Sequence, residues 1–99
     1  MTSLQIVFRP QAEAESIEAR RWYEQRRSGL GKEFARAVNE VVGRILENPF
    51  AFPPVRGQIR RAMLRRFPYA VCFRIAADRI VVLAVIHGRR HPRRWRTRR

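Results

Sequence analysis

A chain of 99 residues has the size of one small domain, so a single compact scaffold and its two ends must carry whatever it does. Hydrophobic residues make up 45% of the sequence, which is enough to bury a core and excludes a chain that is disordered throughout. The 22 lysines and arginines outnumber the 8 acidic residues and leave a net charge of +14. Such a charge favours nucleic acid, an anionic surface or an acidic protein as the partner, and the short length excludes a multidomain enzyme.

The positive charge lies almost wholly in the second half of the chain. Residues 1–50 hold seven arginines and Lys32 against seven glutamates, a net of +1, whereas residues 51–99 hold fourteen arginines against Asp78, a net of +13. Arginine binds phosphate or carboxylate through two parallel hydrogen bonds and also stacks on bases. The asymmetry therefore predicts that the second half carries the surface that binds an anionic partner.

Cysteine usage and apolar runs bear on where the protein resides. Cys72 is the one cysteine of the sequence, which excludes an intramolecular disulfide and a metal site built from thiolates. The N-terminus lacks the features of a signal peptide, and the longest apolar run, residues 80–86, is too short to cross a bilayer. The sequence predicts a cytoplasmic protein with no membrane partner, and no motif in it predicts a metal or another cofactor.

Two helices are predicted after a short first strand. The strand covers residues 4–8, and Pro10 suits the first turn of a helix that continues to residue 27. Small residues and one aromatic residue share a face of this helix: Ala12, Ser16, Ala19 and Tyr23. The second helix covers residues 30–47 and has a stronger apolar face, made of Leu30, Phe34, Val38, Val41 and Ile45 with Ala37, Val42 and Leu46. Asn48 and Pro49 end it, because a residue before proline is disfavoured in the helical region.

The second half of the chain predicts three strands, at residues 59–67, 70–75 and 79–86. The last is nearly all β-branched or apolar and is therefore expected to be central in the sheet. Short connections between successive strands favour antiparallel pairing. The predicted fold is α+β, a two-layer β-α-α-β-β-β arrangement with a helical hairpin packed on one face of an antiparallel sheet. The other face and a tail at about residues 88–99 are expected to carry the arginines of this single domain.

The segment after the last strand combines charge with a stacking side chain. Residues 87–99 hold seven arginines, two histidines and one tryptophan. We interpret this segment as a target-binding edge, because arginine neutralises phosphate or carboxylate and tryptophan stacks on a base or fills an apolar pocket. Its residues are Arg89, Arg90, Arg93, Arg94 and Trp95. The alternatives are a solvated tail with Trp95 folded onto the core and, for His87, either a structural role or general acid–base chemistry.

A series of short motifs covers nearly the whole chain. In chain order they are Trp22-Tyr23-Glu24, Gly29-Leu30-Gly31 with Phe34, Asn48-Pro49, Ile59-Arg60-Arg61, Arg66-Phe67-Pro68-Tyr69 and the His-x-x-Arg-x-Pro-x-x-Trp segment from His87 to Trp95. In this order and length they resemble the ParE-like branch of the RelE/ParE toxin superfamily. The resemblance implies a bacterial type II toxin with the same β-α-α-β meander, held in a hetero-oligomer by a cognate antitoxin. We expect an acidic antitoxin segment to contact Trp22, Arg60 and Arg61, although arginines on an edge strand also serve simply to prevent aggregation.

The resemblance leaves the target open, because studied ParE members inhibit DNA gyrase whereas RelE-like members cleave mRNA on the ribosome. A nuclease would use His87, Arg61 and Arg89 as its catalytic residues. Met63 and Ala70 stand where two further basic residues are expected, and Trp95 stands near the position of a tyrosine. These departures favour gyrase inhibition. The alternatives are a ribosome-dependent endoribonuclease and a non-toxic, basic nucleic-acid-binding relative.

Overall fold

The computed structural model describes residues 4–88 of the chain. Its elements follow the predicted order, with one additional strand and a short 3-10 helix between the second helix and the meander. They are β1 (Gln5–Phe8), α1 (Pro10–Arg26), α2 (Leu30–Glu47), the 3-10 helix (Pro49–Ala51), β2 (Pro54–Arg56), β3 (Ile59–Met63), β4 (Tyr69–Ile75) and β5 (Arg79–His87). The α+β class is confirmed, with both helices packed on one sheet.

The five strands form one sheet in the order β1-β5-β4-β3-β2. Strands β2 to β5 pair antiparallel, which confirms the predicted meander, and β5 lies between β1 and β4 as expected of a central strand. The first strand differs from the prediction, because β1 pairs parallel with β5. The two helices that separate these strands in sequence provide the crossover that a parallel pair requires.

Strand β2 was not predicted, and the predicted strand at residues 59–67 ends early. Strand β2 has three exposed residues and begins with Pro54, so it lacks both the length and the alternation that identify a strand. Strand β3 ends at Met63, where a loop closed by a 2.9 Å hydrogen bond from the Leu64 N–H to the Tyr69 carbonyl leads into β4.

The core lies between the helices and the sheet. Helix α2 buries Phe34, Val38, Val41 and Ile45 in it, as its helical spacing predicts, whereas Leu46 remains 40% exposed on the far side. Helix α1 contributes the small buried residues Ala12 and Ala19, and the sheet contributes chiefly the apolar side chains of β4 and β5. Since small residues shorten the distance at which a helix packs, α1 lies close to both α2 and β5. No helix in the described part of the chain is long and apolar enough to cross a membrane.

The turn between the helices is built by Glu24 and two glycines. Gly29 has a φ of 89°, a left-handed conformation that disfavours other residues. At Gly31 a Cβ atom would lie 2.7 Å from the Arg20 carbonyl oxygen, so the close approach of α1 and α2 requires glycine. The Glu24 carboxylate accepts hydrogen bonds from the Gly29 and Gly31 N–H groups, and these hydrogen bonds lower its pKa. The carboxylate thereby satisfies two amides that the start of α2 leaves without helical partners.

The outer face of the sheet, opposite the helices, is apolar at its centre. Cys72, Ala84 and Ile86 form a buried cluster there, with Ile59 packed against it. The strand register places Arg61 and Arg74 on the same face, next to Cys72 and Val81. The outer face thus carries arginines, as expected, but it also has an apolar centre, because β4 and β5 place apolar side chains on both faces of the sheet.

The far half of β5 extends beyond the end of β1. Pairing with β1 covers residues 79–82 of β5, and the Arg9 N–H then donates to the Val82 carbonyl at 2.9 Å. Further along, the Val85 N–H donates to the Glu15 carboxylate of α1 at 3.0 Å. Beyond the end of β1, a side chain of α1 thus accepts a hydrogen bond from the backbone of β5.

Candidate functional site

A groove of about 510 Å³ runs between α1 and the neighbouring ends of β4 and β5. The helix lines it with two acidic residues and two aromatic residues, and the strands line it with Tyr69, Val85 and His87. The α1 side chains are Glu15, Glu18, Trp22 and Tyr23. Because residues three and four apart lie on one helical face, Glu15, Glu18 and Trp22 form a continuous wall. The groove therefore combines two predicted site residues, Trp22 and His87.

Trp22 presents its ring at the rim of this groove. The residue is 47% exposed, although its ring packs edge-on against Tyr23 with centroids 5.0 Å apart. The Arg26 guanidinium lies over the indole, 4.2 Å from the ring centroid. A large exposed aromatic residue with a stacked cation is typical of an anchor for a protein partner.

Tyr23, Tyr69 and His87 continue inward from Trp22 as a chain of aromatic contacts. Tyr23 packs against Phe34 and Phe67 in the core, and its ring centroid lies 6.0 Å from that of Tyr69. Burial, with a smaller effect of Tyr69, raises the pKa of Tyr23. Tyr69 in turn lies 5.5 Å from the His87 ring. This arrangement makes Tyr23 a packing residue.

Arg60 and Arg61 are neighbours in sequence but lie on opposite faces of the sheet. Arg60 shares the helix side with Phe73, where its guanidinium donates to the Phe52 carbonyl at 2.6 Å and lies 5.2 Å from the Phe50 ring centroid. Arg61 pairs with Cys72 and is exposed on the outer face. Arg60 thus holds the link that precedes β2. The structure does not bring Trp22, Arg60 and Arg61 into one cluster.

His87 and Arg61 are also separated by the sheet. His87 pairs with Tyr69 on the helix side, whereas Arg61 shares the outer face with Cys72 and Ala84. A β-bulge causes this placement: Cys72 pairs with Ala84 and Phe73 with Val82, so Leu83 is the extra residue. One extra residue inverts the alternation of every later side chain, which moves His87 to the helix side. Regular alternation would have placed it with Arg61.

The remaining predicted site residues lie outside the described part of the chain. They are Arg89, Arg90, Arg93, Arg94 and Trp95, the predicted target-binding edge, of which Arg89 was also a nuclease candidate. Within residues 4–88, no three histidine, cysteine, aspartate or glutamate side chains are grouped as metal ligands.

Sequence reasoning missed the contacts that α2 makes with the β3–β4 loop. Arg65 and Arg66 of this loop reach carboxylates of α2, and they line a second groove of about 540 Å³. The available signal was the row of charges spaced four apart along α2, at Lys32, Arg36, Glu40 and Arg44. The row predicts a charged helix face, but the loop that faces it was read as part of a strand.

Comparison with known proteins identifies relatives whose descriptions agree with one another. The chain is 40% identical over 55 residues to Toxin ParE2 of Mycobacterium tuberculosis, in strains CDC 1551 and H37Rv, a match that covers 56% of this chain and 52% of the relative. The chain thus spans about half the length of these curated relatives. A solved structure described as the chromosomal ParDE TA system from P. aeruginosa has a TM-score of 0.66 at 16% identity, covering 86% of this chain and 96% of that one. This likeness confirms the fold.

A family model covers much more of the sequence. Residues 6–92 match the family described as the ParE toxin of the type II toxin-antitoxin system, parDE. The matched range includes both helices, all of the sheet except Gln5, and the groove that Trp22 and His87 line. The chain therefore belongs to the ParE toxin family of type II toxin–antitoxin systems.

Proposed function

We propose that this chain is the toxin of a type II toxin–antitoxin pair and that it arrests growth by binding DNA gyrase in the bacterial cytoplasm. The observation that carries the proposal is the family match over residues 6–92. The toxin acts by binding and blocking its target, without hydrolysing a substrate.

The placement of the nuclease candidates supports a mechanism without hydrolysis. General acid–base chemistry requires its groups within hydrogen-bond reach of one reacting site. His87 lies on the helix side of the sheet and Arg61 on the outer face, so the two do not share a site. Met63 and Ala70, opposite each other across β3 and β4, add no basic group to the outer face.

The partner in the resting state is a cognate acidic antitoxin. The net charge of +14 repels itself and is relieved by a segment of opposite sign. We place the antitoxin on Trp22, where an exposed indole and the stacked Arg26 suit a segment that alternates apolar and acidic residues. A second contact is at Arg61 on the outer face. Arg60 acts chiefly within the chain, since its guanidinium holds the Phe52 carbonyl.

The target-binding edge is assigned to Arg89, Arg90, Arg93, Arg94 and Trp95, which follow directly after β5. Arginine supplies charge that attracts and orients the target, and tryptophan supplies an apolar anchor. The residues of this edge differ from those assigned to the antitoxin contact, which are Trp22, Arg60 and Arg61.

The experiment compares DNA and protein synthesis after induction. The chain is expressed without antitoxin, and cultures are pulse-labelled for both processes. A gyrase inhibitor stops DNA synthesis and induces DNA damage signalling before translation falls. Translation that stops first, with messages cut within codons, would instead establish the ribosome-dependent endoribonuclease. Unaffected growth would indicate a non-toxic nucleic-acid-binding relative. Co-expression of the antitoxin is the control and should restore growth.

A further inference from the structure

A second basic surface lies between α2 and the β3–β4 loop, beside the core face of the helix. It consists of Lys32 and Arg36 of α2, Arg65 and Arg66 of the β3–β4 loop, and the flanking Arg27 and Arg44, together with Glu33 and Glu40. We call it the α2–loop surface. Ala37 and Phe67 form its small apolar floor. None of its residues belongs to the predicted tail or to the groove at Trp22.

Each of the two glutamates on this surface holds two arginines. Glu33 pairs with Arg66 at 2.7 Å and with Arg27 at 3.2 Å. Glu40 pairs with Arg44 at 2.8 Å and lies 3.9 Å from Arg65. A guanidinium has five N–H donors, so each arginine keeps donors for a ligand after it binds one carboxylate. The side chains of Arg65 and Arg66 are both 72% exposed.

The loop places its two arginines at the cost of backbone strain. Arg66 has a φ of 72°, a left-handed conformation that costs an L-residue about 1–2 kcal/mol. The next residue, Phe67, is buried against Tyr23 and Phe34 and fixes the loop to the core. Strain of this kind persists where a function depends on the geometry that it holds. Here it directs Arg65 and Arg66 towards α2.

The surface keeps a substantial positive charge after its internal ion pairs are counted. Six cations and two carboxylates leave a net of +4, and within the described residues Lys32 and Arg36 have no carboxylate at ion-pair distance. Lys32, Arg36 and Arg44 follow one side of α2 over twelve residues, about 18 Å at the helical rise of 1.5 Å per residue. A strand of B-DNA advances about 3.4 Å per phosphate, so the row spans about five phosphates.

We propose that the α2–loop surface binds the phosphodiester backbone of nucleic acid. Three cations along α2 and two exposed arginines on the facing loop suit the repeated phosphates of a nucleic-acid backbone. An acidic peptide fits less well, because peptides gain affinity from side-chain pockets and the floor of this groove offers only Ala37 and Phe67. The proposal does not depend on the proposed function, since it concerns binding in isolation and holds whichever target the toxin arrests.

The test uses the full chain, freed of antitoxin, and two double variants that each remove two positive charges. Arg36→Ser with Arg65→Ser removes cations from the surface but leaves the Glu33–Arg66 and Glu40–Arg44 pairs intact. Arg21→Ser with Arg56→Ser is the matched control, since both arginines are exposed and lie outside the surface. Binding is measured by fluorescence anisotropy with a duplex DNA and with a single-stranded RNA of matched length. Circular dichroism verifies the fold of each variant.

We expect the Arg36/Arg65 double variant to lose about tenfold in affinity near 0.1 M salt, and the control less than about threefold. For the duplex, the slope of log affinity against log salt should fall by about 1.8, or 0.9 per lost phosphate contact. The nucleic acid for which the Arg36/Arg65 variant loses more affinity, DNA or RNA, is the source of the phosphates. Equal losses in both double variants would overturn the proposal in favour of diffuse charge. Poly-glutamate of equal charge is the competitor. If it displaces the nucleic acid, and if the Arg36/Arg65 variant loses as much affinity for poly-glutamate as for nucleic acid, the surface would be assigned to an acidic peptide.

Discussion

Glu24 and Gly31 are joined across the turn between the helices by a 3.0 Å hydrogen bond, and Gly31 leaves no space there for a methyl group. A Cβ atom at this position would lie 3.0 Å from the Glu24 side chain as well as 2.7 Å from the Arg20 carbonyl oxygen. The two residues therefore fix how closely α2 approaches α1, and with it the position of Trp22 and Tyr23 beside the sheet.

The first prediction contrasts two glycines of α2. Gly31→Ala should destabilise the protein by about 1–3 kcal/mol, because the added methyl group meets backbone that cannot move away. Gly43→Ala is the control: a Cβ there has open space, and alanine in a helix interior should stabilise by about 0.5–1 kcal/mol. Urea unfolding of both variants measures the difference. Equal effects of the two substitutions would show that the helices do not approach as closely as described.

The second prediction concerns pH. Hydrogen bonds from the Gly29 and Gly31 N–H groups lower the pKa of Glu24 below its ordinary value of 4.5, so the unfolded chain binds its proton more readily than the folded one. The stabilisation by Glu24 is fully present above pH 4.5 and is lost as the pH falls through the lower pKa of the folded state. Thermal unfolding across this range should show a smaller acid-induced loss in Glu24→Gln than in the unmodified chain. Equal acid-induced losses of stability in the two proteins would contradict the assignment of this effect to Glu24.

The third prediction tests the strain at Arg66. Arg66→Gly and Arg66→Ala both remove the ion pair with Glu33, but only glycine adopts a φ of 72° without steric cost. The glycine variant should therefore be more stable than the alanine variant by about 1 kcal/mol, or about 4–8 °C in Tm. Calorimetry of the glycine and alanine variants measures this difference in Tm. An alanine variant as stable as the glycine variant would mean that the loop changes conformation when arginine is lost.

The fourth prediction concerns the antitoxin contact. Trp22→Ala should weaken antitoxin binding by about 2 kcal/mol, roughly 30-fold in Kd, as expected for an anchor tryptophan. Leu46→Ala is the control, because Leu46 is 40% exposed on the other helix and lies outside the groove. Calorimetric titration of each variant with the antitoxin measures the change. A similar loss for both, or none for Trp22→Ala, would place the contact elsewhere.

The fifth prediction separates target binding from RNA cleavage. Trp95→Ala should weaken toxicity, whereas His87→Ala should be mild, since His87 packs on Tyr69 and shares no site with Arg61. Growth arrest after induction measures both, with circular dichroism as the folding control. A His87 variant whose toxicity falls by about 100-fold while its fold is retained would favour general acid–base catalysis instead.

Truncation after Gly88 completes the comparison. It removes all of the predicted target-binding edge and leaves the helices and strands, so the product should fold and be harmless. A folded, fully toxic product would place the target site on the helical hairpin.

Sequence reasoning recovered the elements with strong periodicity and missed the features that depend on single residues. Helix α2 was predictable because Phe34, Val38, Val41 and Ile45 recur with helical spacing over a long segment. The parallel pairing of β1 was not, since four residues carry no signal for the strand they join. In the candidate site, His87 was correctly placed at the end of a strand, but its face was not predictable. The bulge at Leu83 decides that face, and nothing in the apolar run of β5 marks where the extra residue falls.

The hydrogen bond between Glu15 and the Val85 N–H bears on self-association. Beyond the end of β1, the far half of the central strand would offer an edge to which a second copy of the chain could add a strand. The Glu15 carboxylate already occupies the Val85 donor on that edge, and a carboxylate is a poor neighbour for an incoming backbone carbonyl. We therefore expect Glu15, a residue of the first helix, to disfavour the addition of a strand at this part of the edge.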